Sequence, residues 1–232
     1  MKYRHILLDV GGTLIFPKPS VGAVYASEAR LFSVDMDAAE AQKAFVRAWK
    51  ASKAAWKSPL RYGRTEEEAK SFWREVVYRT FNSRVPEEKK EDLFTHLFHH
   101  FAQPEIWDCY TGVHETLNEL HGRGHILSIL SNWDIRLPLI LQGLGLSPYF
   151  RHEFISFATG LEKPDPNAFK HCLDKLNAKP NEVLYIGNDH EEDYQPATAL
   201  GLSCYLLQHG DHWDFTHSAP TLESIRELLT LC

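Results

Sequence analysis

The sequence predicts an α/β fold, built on a doubly wound parallel sheet with an all-helical segment inserted near its start. Short apolar runs alternate with helical patterns in the second half of the chain, at 126–130, 153–157, 183–186 and 203–207. This alternation is typical of parallel sheets whose faces are covered by helices. Hydrophobic residues make up 44% of the 232 residues, which is enough to form the buried core of such a sheet and its helices.

The first strand is the apolar run in HILLDVGGTLI, residues 5–15, which stops at a single carboxylate, Asp9. A turn through Gly11, Gly12 and Thr13 follows and places this acid at the carboxyl edge of the sheet, where open α/β folds bind ligands. Glycines let backbone N–H groups approach an anion, and a carboxylate can act as a covalent nucleophile. The motif is short, so an ordinary strand-ending turn remains an alternative for Asp9 alone.

The segment 17–104 has helical spacing throughout, with helices expected at 21–32, 37–56, 65–81 and 86–101. We expect its large aromatic residues to form the core between these helices: Trp49, Trp56, Phe72 and Trp73.

Residues 105–232 hold the remaining strands, with helices expected near 112–122, 134–144, 166–177, 192–200 and 221–231. The first strand belongs to the same sheet. The sequence therefore predicts two domains, an α/β core from 1–16 and 105–232 and a helical domain from 17–104.

Three later segments bring polar residues to the ends of predicted strands. Ser131 and Asn132 follow one strand, and Ser131 has the right type to bind a phosphoryl oxygen. Lys163, in LEKPDPNAF, can neutralise an anion. The segment YIGNDHEEDYQ carries carboxylates and an amide, which are ligands that suit Mg²⁺. Each motif alone has a structural explanation, but four in this order after predicted strands indicate an enzyme site.

These four motifs resemble those of the haloacid dehalogenase (HAD) superfamily of hydrolases, and the resemblance covers nearly the whole chain. It implies a Rossmann-like, HAD-like core with an inserted helical cap (C1 type) and a Mg²⁺-dependent phosphatase template. In that template Asp9 is the nucleophile, and Ser131 and Lys163 hold the phosphate. Residues expected to line the substrate site are Gly11, Gly12, Thr13 and Asn132, and those expected at the metal are Asp9, Gly11 (through its carbonyl), Asn188, Asp189 and Asp193.

Two departures from the family pattern bear on activity. Phosphatases of the family carry a second aspartate two residues after the nucleophile, which protonates the leaving oxygen, but here that residue is Gly11. Because general acid–base assistance is worth roughly 10²–10⁴ in rate, an ordinary ester phosphatase is expected to be weakened. The first acid of the fourth motif is also replaced, by Asn188, so Asp189 is a candidate to take its place.

Three functions therefore compete. The favoured one is a weak or specialised phosphohydrolase acting on a small phosphorylated metabolite. The second is a non-catalytic relative that binds a ligand or partner. The third is a metal-independent carbon–halogen hydrolase, which would need a halide-binding arginine and aromatic groups near Asp9; Arg30 and Trp133 are available by type.

Two groups of histidines are assigned no function. The first, His96, His99 and His100, lies on one predicted helix, and with no carboxylate or cysteine to complete a metal site a solvated helix face is favoured. The second, His209, His212 and His217, lies in a loop and is interpreted in the same way.

The net charge of −6 argues against a nucleic-acid partner. No signal peptide, membrane span or cysteine pairing motif is apparent, so we expect a cytoplasmic protein with reduced thiols and no membrane contact. The sequence does not indicate an oligomeric state.

Overall fold

The structure is a computed structural model that describes residues 2–209 and 218–232. The chain forms two compact units. The α/β unit comprises Met1–Phe16, Cys109–Trp133 and Gly145–Cys232. The helical unit comprises Pro17–Asp108 and Asp134–Leu144. The chain thus leaves the α/β unit twice, once after its first strand and once after Trp133.

The α/β unit is built on a parallel sheet of six strands in the order β5-β4-β1-β6-β7-β8. These strands are β1 (His5–Leu8), β4 (Ile126–Ser131), β5 (Phe150–Ile155), β6 (Val183–Gly187), β7 (Ser203–Leu207) and β8 (Thr221–Leu222). A separate pair, β2 (Ile15–Pro17) and β3 (Trp107–Cys109), lies where the chain passes between the units.

The central position of β1 explains where the site forms. Leu8, its last residue, pairs with Ile129 of β4 on one side and with Ile186 of β6 on the other. The chain goes from β1 to β4 and β5 in one direction, and then to β6, β7 and β8 in the other. The strand order therefore reverses beside β1, and in open α/β sheets such a reversal opens a crevice at the carboxyl ends.

Helices of the α/β unit connect these strands. They are α5 (Val113–Gly122), α7 (Ser156–Thr159), α8 (Pro166–Leu176), α9 (Gln195–Ala199) and α10 (Leu228–Leu231). Between the sheet and these helices lies a core that includes Leu7, Leu130, Phe169 and Tyr185.

The helical unit contains α1 (Val21–Ala29), α2 (Ala38–Ala55), α3 (Glu66–Phe81), α4 (Glu87–His100) and α6 (Leu137–Gly143). A reciprocal capping box between Thr65 and Glu68 fixes the start of α3. Phe72 is fully buried among Trp49, Trp56 and Trp73, so these aromatic residues form core as predicted.

The parallel α/β fold is confirmed, and among the elements whose bounds differ from the predictions, two differ for a clear physical reason. The strand predicted at 153–157 is Phe150–Ile155, because buried Ser156 begins a helical turn and hydrogen-bonds to the backbone of Trp133. The helix predicted at 221–231 begins only after Ser224, which caps a 3₁₀ turn, while Thr221–Leu222 extends the sheet. No helix in the described part of the chain is both long and apolar enough to cross a bilayer.

Candidate active site

Asp9 follows β1 directly and is almost completely buried. Its backbone N–H donates to the carbonyl of Ile186, 2.8 Å away, which ties it to β6. Its Oδ1 accepts hydrogen bonds from Ser131 Oγ at 3.1 Å and Lys163 Nζ at 2.9 Å. Thr13 Oγ1 donates to Oδ2 at 3.2 Å. The structure therefore brings together the three predicted catalytic residues, Asp9, Ser131 and Lys163.

Lys163 lies between two carboxylates, with its side chain only 3% exposed. Besides Asp9, its Nζ donates to Asp193 Oδ1 at 2.5 Å and to the Tyr185 hydroxyl at 2.9 Å. That hydroxyl in turn donates to Asp193 Oδ1, 2.6 Å away. One buried hydrogen-bonded network thus joins Asp9, Lys163, Tyr185 and Asp193. Burying a charge is costly unless it is paired, and here the Lys163 ammonium is paired with two carboxylates.

Asp193 also fixes the loop that follows β6. Its Oδ2 accepts from the backbone N–H groups of Asn188 at 2.9 Å and Asp189 at 3.0 Å. A Cβ on Gly187 would lie 2.3 Å from Asp193 Cγ, so only glycine allows this close approach. The glycine at position 187 therefore has a steric cause.

The Asn132 side-chain amide holds the backbone of Lys163 in place through two hydrogen bonds. Its Oδ1 accepts from the Lys163 N–H at 2.7 Å, and its Nδ2 donates to the Lys163 carbonyl at 2.8 Å. The same Nδ2 also donates to Glu192 Oε2 at 3.1 Å. Asn132 therefore contacts the backbone of the Lys163 loop, so its amide orients a catalytic candidate.

Gly11 lies under the indole ring of Trp133. A Cβ built on Gly11 would lie 2.8 Å from Trp133 Cζ3, closer than real side chains pack. The space in which a side chain at position 11 would begin is therefore taken by an aromatic ring. Gly12 has a φ of 75°, a value that favours glycine, and this turn carries Thr13 back to Asp9.

The pKa values of Asp9 and Lys163 are both raised, by different causes. Burial raises the pKa of Asp9 to about 6; Lys163 opposes the rise and Asp193 adds to it. Burial lowers the pKa of Lys163, but attraction to Asp193 and Asp9 outweighs it and leaves that pKa above its ordinary value. With two carboxylates and one ammonium, the network has an excess of negative charge, which favours a cation nearby.

Other residues considered in the sequence have different surroundings. Asp189 Oδ1 caps the turn at His190–Tyr194 by accepting from the N–H groups of Glu191 and Glu192, each at 2.8 Å. Arg30 follows α1 in the helical unit, and His209 Nε2 bonds to the Thr13 carbonyl at 2.9 Å in the α/β unit. His212 and His217 lie outside the described residues.

Tyr185 is the member of the network that sequence reasoning missed. It lies within the apolar run VLYI, where an aromatic residue is usually core. A signal was present: a fully buried tyrosine hydroxyl needs a hydrogen-bond partner, and Tyr185 stands two residues before the acidic loop.

Residues 3–201 match the haloacid dehalogenase-like hydrolases. The chain belongs to this family of hydrolases. Its four strand-end motifs, now seen around one carboxylate, are thus those of a HAD hydrolase.

Relatives of this HAD hydrolase differ in how much of the chain they match. Over 242 residues the chain is 31% identical to haloacid dehalogenase-like hydrolase domain-containing protein 3 of Mus musculus, covering 100% of this chain and 95% of the relative. At lower coverage it is 29% identical over 137 residues to the glyceraldehyde 3-phosphate phosphatase of Methanocaldococcus jannaschii, with 57% of this chain and 60% of the relative aligned.

Solved structures show the same fold. YfnB of Bacillus subtilis, a HAD-hydrolase bound to magnesium, superposes with a TM-score of 0.74 at 16% identity, covering 100% of this chain and 99% of YfnB. A dehalogenase superposes with a TM-score of 0.73 at 20% identity, covering 99% and 97%. At 20% identity or less these likenesses show the fold alone, so the choice between a phosphatase and a dehalogenase depends on the site.

Proposed function

We propose that this HAD hydrolase is a Mg²⁺-dependent phosphatase-type enzyme that uses Asp9 as its nucleophile. The observation that supports this most directly is the convergence of Ser131, Lys163 and Thr13 on the Asp9 carboxylate. These donors fix the orientation of the carboxylate, and two of them can also bind the oxygens of a phosphoryl group beside it. Such preorganised donors stabilise charge as it develops in the transition state.

In the proposed reaction an Asp9 oxygen attacks phosphorus, the bond to the leaving oxygen breaks, and an aspartyl phosphate forms. Water then attacks that phosphorus and releases inorganic phosphate and the free carboxylate. Lys163 and Ser131 hold the phosphoryl oxygens through both steps. Asp193 and Tyr185 keep Lys163 charged and in place, so they act as positioning residues.

The leaving oxygen is the weak point of this mechanism. Gly11 has no side chain to donate a proton, and the Trp133 ring occupies the space where one would begin. Alkoxide leaving groups need that proton, whereas a nitrophenolate does not. We therefore infer a specialised enzyme that is slow on alkyl esters unless the substrate supplies its own acid.

The residues present fit a magnesium ion, although Asp193 is better placed to shape the site than to bind the ion. Asp193 accepts hydrogen bonds from Lys163, Tyr185, Asn188 and Asp189, which fill the roughly four acceptor positions of a carboxylate. It therefore shapes the site, and the oxygens left to hold the ion are those of Asp9, the Asn188 amide, the Asp189 carboxylate and the Gly11 carbonyl. Hard oxygen donors beside excess negative charge suit Mg²⁺, which when bound would neutralise the phosphoryl group.

The substrate we propose is a small phosphorylated metabolite, by analogy with relatives named as phosphatases. The helical unit is proposed to serve as the cap domain that selects it. We further propose a cytoplasmic enzyme without a nucleic-acid or membrane partner, in keeping with the net charge of −6 and with four widely spaced cysteines of the kind expected as reduced thiols.

Nitrophenyl phosphate hydrolysis tests this proposal. We expect turnover that needs Mg²⁺, is lost with a chelator and returns when Mg²⁺ is added back. Asp9→Asn should abolish turnover, since an amide is not a nucleophile, while Asp174→Asn, at an exposed aspartate of α8, should leave it unchanged. Undiminished hydrolysis by purified Asp9→Asn protein would place the chemistry at another residue.

A carbon–halogen hydrolase is the second candidate, and the Trp133 ring favours it because such chemistry needs aromatic groups near the nucleophile. In that case Asp9 attacks carbon, and no metal or general acid is required. Halide release from a 2-haloacid in the presence of a chelator would support this candidate over the phosphatase. If the protein turns over neither substrate, the non-catalytic ligand-binding alternative takes first place.

A further inference from the structure

A second group of metal-ligating side chains lies in the helical unit, apart from the network around Asp9. It consists of Glu28 on α1 and two histidines of α4, His96 and His100. His96 Nε2 lies 2.7 Å from Glu28 Oε2, and His100 Nε2 lies 3.7 Å from Glu28 Oε1. One ligand atom from each residue can be chosen so that all three lie within 4.8 Å of one another.

The helices explain why these residues meet. His96 and His100 are four residues apart on α4, so one helical turn places both rings on the same face. Their ring centroids are 5.8 Å apart and the rings are nearly parallel, at 19°. Glu28 comes 68 residues before His96 in the sequence, and α1 brings it to this face. The carboxylate that the histidine group of α4 lacks in sequence is thus supplied by α1.

The chemistry of the set is that of a transition-metal site. Two imidazoles and one carboxylate are a known three-ligand set for zinc, with the fourth tetrahedral position open to water. Ligands about 2.0–2.1 Å from a tetrahedral zinc lie about 3.3–3.4 Å apart. The three ligand atoms lie within 4.8 Å of one another, so side-chain rotations that shorten the longer of these distances would admit an ion between the three residues.

Exposure and charge are also suitable for an ion. The side chains are partly exposed, at 35% for His96, 20% for His100 and 17% for Glu28, so an ion can enter and keep a water ligand. Among the described residues, no lysine or arginine forms an ion pair with Glu28. The carboxylate therefore remains available to a cation.

We propose that Glu28, His96 and His100 form a binding site for a Zn²⁺-class divalent transition metal that links α1 to α4. Imidazole ligands favour Zn²⁺, Co²⁺ and Ni²⁺ over Mg²⁺, which prefers oxygen. The site is therefore chemically distinct from the all-oxygen set around Asp9. It does not depend on the function proposed for that site.

Titration of tag-free, chelator-treated protein with Co²⁺ and Zn²⁺ in excess Mg²⁺ tests the proposal. Mg²⁺ occupies oxygen-only sites, so calorimetry with Zn²⁺ and the visible absorption of Co²⁺ report nitrogen ligation. We expect His96→Ala and His100→Ala to lose this ion. Because changes in residues that only support metal ligands already cost about 10–100-fold in affinity, loss of a direct ligand should cost at least about tenfold.

Matched variants separate this site from others that could bind the same ions. His99→Ala removes an exposed neighbour on α4, and Cys109→Ser removes a thiol that lies 3.5 Å from His114 Nε2. Both should bind as wild type does. Glu28→Gln keeps the size of the side chain and removes its charge, so it should weaken binding while retaining the fold.

The outcomes are distinguishable even if one variant is unstable. Circular dichroism without metal shows whether each variant folds, and His100→Ala and Glu28→Gln remain informative if His96→Ala does not fold. The proposal is overturned if wild type takes up no nitrogen-ligated ion. It is equally overturned if the folded variants of the three ligands bind as tightly as wild type, or if His99→Ala loses as much affinity as they do.

Discussion

The ring of Trp133 lies where a side chain on Gly11 would have to begin. A Cβ there would approach Trp133 Cζ3 to 2.8 Å, so the missing acid of the family pattern cannot be restored by one substitution without moving the ring. Overpacking of this kind typically costs about 1–3 kcal/mol. The glycine and the tryptophan are therefore best regarded as a pair.

A paired substitution follows from this contact. Gly11→Asp with Trp133→Ala should raise the alkyl-phosphate rate about 10²-fold over Trp133→Ala alone, the lower end of general-acid effects. Nitrophenyl phosphate should respond less, because its leaving group departs without a proton. Initial rates on both substrates measure the effect. An equal gain from Gly11→Asp alone would mean that Trp133 does not obstruct position 11.

Lys163 is the only ammonium in the described network around Asp9, so its loss should affect stability as well as activity. Lys163→Met leaves Asp9 and Asp193 buried without their cation, and breaking a buried ion pair in this way costs about 3–5 kcal/mol. Urea denaturation measures the loss, and nitrophenyl phosphate turnover should disappear. Lys170→Met, at an exposed lysine of α8, is the control. A fully stable Lys163→Met protein would contradict the charge pairing described here.

The residues of the site were more predictable than their partners. Asp9 and Ser131 are readable from sequence because each ends an apolar run, and Lys163 because it stands before a Pro-x-Pro turn in the loop that follows one. Tyr185 and Glu28 are not, because a buried tyrosine within a strand reads as core and a glutamate on a distant helix reads as solvated. Their partners are set by packing between elements, which local patterns do not encode.

At the scale of elements, β6 and the loop after it depend on Gly187. Gly187→Ala would place a Cβ 2.3 Å from Asp193 Cγ and displace the carboxylate that holds Lys163 and the loop. We expect turnover to fall at least about tenfold, since loss of such a supporting contact in a metal site costs about 10–100-fold. Gly122→Ala is the matched control, because a Cβ on that residue of α5 meets nothing within 4 Å. Equal activities of the two variants would refute the steric role of Gly187.

Elements with a single strong signal were predicted well. β6 is buried along its whole length, β4 is buried after its first residue, and β7 is an apolar run with three of its five residues buried. The start of α3 carries its capping box in the sequence. The ends of the sheet were predicted less well, since β5 is partly exposed along its first residues and β8 has only two residues. Short edge strands bury little and so leave a weak pattern.

At the scale of the whole molecule, the second excursion of the chain, Asp134–Leu144, belongs to the helical unit. Arg136 fixes it there: its guanidinium pairs with buried Asp134, donates to the Phe98 carbonyl at 3.0 Å and lies 4.1 Å from the Phe98 ring centroid. Asp134 also accepts from Trp73 Nε1 at 2.8 Å. Sequence periodicity does not predict these contacts of α6, because they join residues that are far apart in the chain.

Arg136→Met should therefore destabilise the helical unit, by about 3–5 kcal/mol as for other broken buried ion pairs. Hydrogen exchange should accelerate most in α3 and α4, which carry Trp73 and Phe98. Arg79→Met, which breaks an exposed pair with Glu75, should cost no more than about 0.5 kcal/mol. Uniform acceleration across both units would argue against a local role for Arg136.

The central place of β1 has a consequence for biosynthesis. β1, which Asp9 follows directly, is synthesised before both of its neighbours in the sheet, because β4 and β6 end at Ser131 and Gly187. Pairings of such long sequence separation form slowly. The helical segment between β1 and β4 can meanwhile begin to fold from contacts within itself, as domains generally do during synthesis. Asp9 is thus synthesised long before its hydrogen-bond partners Ser131 and Lys163, and its surroundings can form only after both have been added.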